Sequence, residues 1–159
     1  FSVGLTGRYI YSNLTGQFQS TTFDAKPGQS VAVDAGVYYT KALKSAKLSQ
    51  LSLGAVISNI GAKISYSDAN NTNFLPVNLR LGSAFKTELD PFNSITFLLD
   101  FNKLMVPTPP IRDQQGNIIA GKNDDIGLLG GMFGSFSDAP DGFREEMKEI
   151  TTSIGIEYW

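Results

Sequence analysis

Hydrophobic and polar residues alternate along six stretches of this chain, and the polar side of each carries charges, hydroxyls or amides. The fourth is the most regular. Val77, Leu79, Leu81, Phe85 and Leu89 fall on one side of it, and Asn78, Arg80, Lys86 and Glu88 on the other. A period of two is that of a β-strand, whose successive side chains point to opposite faces. The other predicted strands run from about Phe1 to Ser12, Ser30 to Thr40, Leu48 to Ile60, Ser94 to Leu104 and Ile150 to Trp159. They are about twice the usual globular strand of five or six residues. Long strands that are apolar on one side and ionic on the other suit a wall between lipid and a watery lumen. The pattern therefore predicts an all-β fold: a transmembrane antiparallel β-barrel.

The connections support that reading by alternating in length. Residues 13–29 are long and polar, 43–47 short, 61–76 long with the turn-rich run Asp68-Ala69-Asn70-Asn71, and 106–149 very long. Asp90-Pro91-Phe92-Asn93 reads as a tight turn with proline at a favoured position. Long loops at one end and short turns at the other are the outer-membrane barrel pattern. Six strands fall short of the eight or so that close such a barrel, and an open sheet would leave unpaired edges in lipid. All of residues 1–159, beginning at Phe1 inside a strand, are thus expected to be an interior portion of one larger barrel domain.

The polar row is expected to face the lumen through Arg8, Asp34, Arg80, Lys86, Glu88, Asp100 and Glu157. The same row would also suit the solvated face of a soluble β-sandwich. Against the sandwich, Tyr9, Tyr11, Tyr39, Phe85 and Tyr158 lie near strand ends on the apolar side, as in an interfacial aromatic girdle.

Composition narrows the chemistry. The chain is 42% hydrophobic and 18% charged, with net charge −2, so it shows no basic footprint for nucleic acid. It has no cysteine, which removes disulfides and thiolate chemistry, and no histidine, which removes the usual neutral-pH base and imidazole metal ligands. No uninterrupted run of about eighteen apolar residues occurs, so no transmembrane helix is expected. No catalytic residue, cofactor or metal site is predicted. Asp113 to Asn117 and Asn123 to Asp125 lack calcium-loop spacing and read as polar turns. Asn13-Leu14-Thr15 fits a glycosylation sequon only formally.

The segment 106–149 is the candidate functional region. Pro107, Pro109 and Pro110 stiffen its exit from the sheet, and Gly116-Asn117 suggests a small hairpin. Leu128, Leu129, Met132, Phe133 and Phe136 then crowd a glycine-rich run. So much apolar side chain in a loop either meets a partner or packs back over the barrel mouth. Ser137 or Asp138 is expected to cap a short helix, with Pro140 in its first turn and Phe143 to Ile150 continuing it. Glu145, Glu146 and Lys148 read as its solvated face.

Five ordered segments carry a resemblance. They are Gly7-Arg8-Tyr9-Ile10-Tyr11-Ser12-Asn13-Leu14, residues Ile57 to Tyr66 (ISNIGAKISY), Phe74 to Gly82 (FLPVNLRLG), Asp100 to Pro110 (DFNKLMVPTPP) and Ser153 to Trp159 (SIGIEYW). Together they resemble the PorV (also LptO) family of the Bacteroidetes type IX secretion system. The resemblance implies a FadL-like outer-membrane barrel of about fourteen strands, within the range such barrels span. It implies a non-enzymatic role beside a SprA-type translocon barrel. The protein would receive secreted cargo bearing a C-terminal signal domain and pass it to a surface attachment complex with a sortase-like protease. The bacterial outer membrane, with its lipid around the wall, would be its location. A FadL-like transporter of hydrophobic compounds is the competing function, because one architecture hosts both.

Overall fold

The computed structural model describes residues 1–13, 26–44, 48–66 and 72–159. The sequon residues Leu14 and Thr15 and the run Asp68 to Asn71 lie outside the described residues.

Six long strands build one antiparallel sheet. They are β1 (Ser2–Ser12), β2 (Gly28–Lys44), β3 (Leu48–Gly61), β6 (Asn78–Asp90), β7 (Asn93–Leu104) and β10 (Ile150–Tyr158), in the order β1-β2-β3-β6-β7-β10. Between them lie the short strands β4 (Ile64–Ser65), β5 (Thr72–Asn73), β8 (Ile111–Arg112) and β9 (Ile118–Ala120), and the helices α1 (Leu128–Gly134) and α2 (Phe143–Lys148). Each long strand pairs with its neighbour in sequence, so the sheet is an up-and-down meander with β1 and β10 as its edges. β2 begins two residues before the predicted Ser30 and runs four beyond Thr40.

The register aligns the two rows that the alternation predicted. Val3, Val37, Ala55, Leu81 and Phe101 are successive cross-strand partners on one face. Arg80 stands opposite Asn102, and Lys86 opposite Thr96, itself opposite Glu157. The apolar row stays exposed: Leu5, Val37, Leu53, Leu81, Phe97 and Ile154 carry no cover. The buried cores are small and sit at the loop end of the sheet, one on each face. On the polar face Ala32, Ile64 and Leu75 pack with Ile10 and Tyr66. On the apolar face Val77, Met105 and Met132 pack with Ile57, Ile60, Leu79 and Leu128. Each such side chain, fully buried, contributes about 1.5–3 kcal/mol.

A β-bulge marks the loop end of β3. Ser58 and Asn59 together stand opposite Asp34, and the register resumes at Val33–Ile60. Asn59 takes a left-handed φ of 61°, a conformation its short polar side chain tolerates. Its amide donates to Asp34 Oδ1 at 2.8 Å and its Nδ2 to the Pro76 carbonyl at 3.1 Å. Arg8 completes the knot by ion-pairing with Asp34 and donating to Asn59 Oδ1.

Candidate functional site

The long connection after β7 does not hang free. Its first turn continues the β6–β7 ladder, with the Met105 amide donating to the Val77 carbonyl at 2.7 Å. The hairpin expected at Gly116-Asn117 forms as β8–β9, with Gly116 at φ 88°. Asp113 closes it by accepting from the amides of Gln115 (2.9 Å) and Asn117 (2.8 Å). Asn123 accepts from the Asp125 amide, and Asp124 pairs with Arg112 at 2.6 Å. Both acidic runs thus serve as turns and links.

α1 was not expected, because three glycines in seven residues disfavour a helix. It forms because one side of it is buried. Leu128 and Met132, four apart, sit on Val77 and Met105. Gly131 lets the Phe74 ring and Pro107 approach so closely that a Cβ there would lie 2.9 Å from Phe74 Cε1. Leu129 and Phe133 point away and are exposed, whereas Phe136, also exposed, lies beside Lys103. The five candidate residues therefore divide into two anchors, two outward-facing side chains and Phe136, which flanks the sheet.

The second helix departs from expectation. Neither Ser137 nor Asp138 caps it. α2 starts only at Phe143, after Gly142 turns the chain with φ 71°, and it ends at Lys148. Pro140 precedes the helix. Glu146 is not solvated: it is buried, whereas Lys148 is exposed.

The reason is a charge cluster that the alternation left unassigned. Lys103 lies in the apolar row of β7, opposite Leu79 and Ile150, yet it is only 4% exposed. Its ammonium donates to Glu149 Oε2 at 2.7 Å and Glu146 Oε2 at 3.1 Å, and lies 5.5 Å from the centre of the Phe136 ring. The second Glu149 oxygen accepts from Thr108 Oγ1 at 2.9 Å. Glu146 Oε1 accepts from the amides of Asp138 and Ala139 at 2.7 and 2.9 Å. Asp138 Oδ2 accepts from the Thr108 amide at 3.1 Å, while its Oδ1 is buried and accepts no hydrogen bond among the described residues. Burial pushes the Asp138 carboxyl above the usual range, with the nearby Glu146 charge adding to it; the Thr108 amide and hydroxyl only partly offset that. Burial also pushes Glu146 up, but the Ala139 amide, the Lys103 ammonium and the Asp138 amide outweigh it and hold that carboxyl below its usual range. One lysine thereby ties both ends of residues 108–149 to the sheet. The single signal in the sequence was a lysine where the row Ile95, Phe97, Leu99, Phe101 demanded an apolar residue.

On the opposite face, Arg80, Lys86, Glu88, Asp100 and Glu157 share one side of the sheet with the Arg8–Asp34 pair. A shallow hollow of about 230 Å³ opens among them, lined by Tyr38, Gly54, Val56, Gly82 and Leu98 beside Arg80 and Asp100. Asp100 lies across Gly82, where a Cβ would come 2.7 Å from its Oδ1.

The family model described as type IX secretion system protein PorV matches residues 1–111. This chain belongs to the PorV family. Four of the five resembling segments fall inside the match, which takes in β1 to β7 and stops as β8 begins. The PorV match therefore covers Lys103 and the polar row through Asp100, while α1, α2 and β10 lie beyond it. No curated protein matches the chain. Among the described residues no helix is long and apolar enough to cross a membrane; the six long strands are the extended elements.

Proposed function

We propose that this chain forms part of the wall of a larger, FadL-like outer-membrane β-barrel that serves type IX protein secretion without catalysing a reaction. The observation that carries the reading is the PorV match over a meander of long strands whose apolar row is exposed below the loop end, where Val77 and Leu79 pack under the long loop. In water such a face would be an aggregation surface; against acyl chains it is the solvated side of a barrel wall. The polar row then lines the lumen, the short turns face the periplasm, and the loops face outward. Strands beyond these six close the barrel and cover the edges of β1 and β10.

The family match supports a place in the type IX secretion machinery, and the partners we assign there are a SprA-type translocon barrel, cargo with a C-terminal signal domain, and a surface attachment complex with a sortase-like protease. The long loop is the contact we assign to translocon or cargo. Leu129 and Phe133 present exposed apolar chains, Phe136 flanks the sheet beside Lys103, and Leu128 and Met132 hold the helix down. Deleting residues 127–136 from the intact barrel is expected to abolish co-purification of the translocon while leaving heat-modifiability unchanged. Leu129→Ser with Phe133→Ser removes only the exposed side chains and should act alike. A complex that survives both changes places the contact elsewhere.

The carbon-lined hollow on the polar face supports a second reading, a porter for hydrophobic compounds. The two readings separate on what the purified barrel holds: a hydrophobic molecule captured at Tyr38 or Leu98 favours transport, and co-isolated translocon with signal-domain cargo favours secretion.

A further inference from the structure

Where the long loop meets the sheet it leaves a groove of about 190 Å³ on the apolar face. Leu79, Leu81 and Phe101 form its floor, Phe136 and Ile150 its sides, and Lys103 its upper end. We propose that this groove holds the upper part of one acyl chain of an outer-leaflet lipid, as a bound lipid distinct from the exchanging annulus. The inference rests on the barrel reading, since its floor is the row there assigned to hydrocarbon.

Three observations select a lipid chain. The groove is lined by carbon along its length, and its one cation is already engaged by Glu146 and Glu149. It therefore offers no charge to a headgroup or a polar peptide and recognises a chain by its apolar surface. Its floor continues without a step onto exposed Phe97 and Phe85 lower on the wall, so the groove opens onto the bilayer rather than onto water. Leu79 to Leu81 lies at the loop end of β6, where outer-leaflet chains begin below their headgroups, and spans roughly 7 Å of strand. The groove is also built in advance. Ile150 is fixed in β10 opposite Lys103, and the ion pairs of Lys103 tie down the loop segment beside Phe136, so a chain enters without ordering the loop.

Phe136 and Phe97 are equally exposed, at 46% each, which makes them matched reporters. The test places the photo-crosslinking amino acid benzoylphenylalanine at position 136, 97 or 38 of the intact barrel. Irradiation is carried out in native outer membranes, and again after exchange into a delipidating detergent, and adducts are read by mass. Lipid adducts are expected at 136 and 97 in membranes but not at 38. After detergent exchange the adduct should persist at 136 and fall at least tenfold at 97. Loss of both adducts in detergent, a polypeptide adduct at 136, or lipid at 97 without lipid at 136 overturns the groove while leaving the barrel intact. Absence of lipid at 97 in membranes, or lipid at 38 in its place, overturns the barrel reading itself.

Discussion

Lys103 would be out of place on an acyl-facing row if it stood alone. An uncompensated ammonium at the edge of hydrocarbon costs several kcal/mol, and a buried ion pair broken from one side costs about 3–5 kcal/mol. Lys103→Met leaves Glu146 and Glu149 without their cation and is expected to weaken attachment of the loop by about 3 kcal/mol. Limited proteolysis of residues 134–149 should then accelerate about 100-fold, since each 1.4 kcal/mol is a factor of ten. Adding Glu146→Gln should recover part of that loss, because it removes the more buried of the two stranded charges while the Gln oxygen still accepts from the Asp138 and Ala139 amides. Acidity acts on the same cluster. Glu146, whose carboxyl is held low, contributes attachment that is complete above its unfolded pKa and is lost as pH falls through the depressed value. Asp138, whose carboxyl is pushed up, has the opposite sign: its penalty grows as pH rises above its unfolded pKa. Asp138→Asn is therefore expected to slow loop opening at neutral pH, measured by hydrogen exchange over residues 138–149, while the native loop loosens on acidification below the usual carboxylate range. Faster exchange in Asp138→Asn at neutral pH would contradict this account.

At the scale of elements, α1 shows how packing overrides propensity. Its glycines differ in what surrounds them. A Cβ at Gly130 would meet Ile126 at an ordinary 3.7 Å, and one at Gly134 would meet it at 3.9 Å, whereas one at Gly131 would press on Phe74 and Pro107 at 2.9 to 3.1 Å. Gly130→Ala is expected to stabilise α1 by up to about 1 kcal/mol. Gly131→Ala gains the same propensity but must displace the Phe74 ring, and should loosen the loop. Circular dichroism cannot resolve seven residues within a barrel, so exchange protection of the Gly131 and Ser135 amides, bonded to Gly127 and Gly131 carbonyls, is the measurement. Equal protection in both variants would remove Phe74 packing as the reason for glycine. The six long strands needed no such rescue: their period, length and β-branched or aromatic apolar positions all agree with the sheet they form. The two helices and the β4–β5 pair were harder to read, because each is shorter than the window over which periodicity can be recognised.

Across the whole molecule, each ladder of the sheet joins consecutive long strands of the meander, β7 and β10 across the long loop. The loop between β7 and β10 adds to the sheet from outside it. This is why its removal over residues 127–136 is expected to leave a heat-modifiable barrel while erasing the proposed translocon contact. The two small cores also divide the loop end between the faces. Ile64, Tyr66 and Leu75 cover the polar face beside β1 and β2, and Met105, Leu128 and Met132 cover the apolar face beside β3 and β6. The long loop anchors on the apolar face through Leu128 and Met132 and leaves Leu129 and Phe133 exposed.

The alternation of side chains, by itself, determined the sheet, the two faces and the seven polar positions, because a strand's facing depends only on parity along the chain. Loop lengths determined the meander and which end carries the long connections. Only the tertiary structure decided which face the long loop covers, that Leu128 and Met132 point in while Leu129 and Phe133 point out, and that Lys103 and Glu146 meet across forty-three residues. Those choices depend on contacts between segments far apart in sequence, where neither parity nor propensity carries information and burial of a charge beside its opposite sets the outcome.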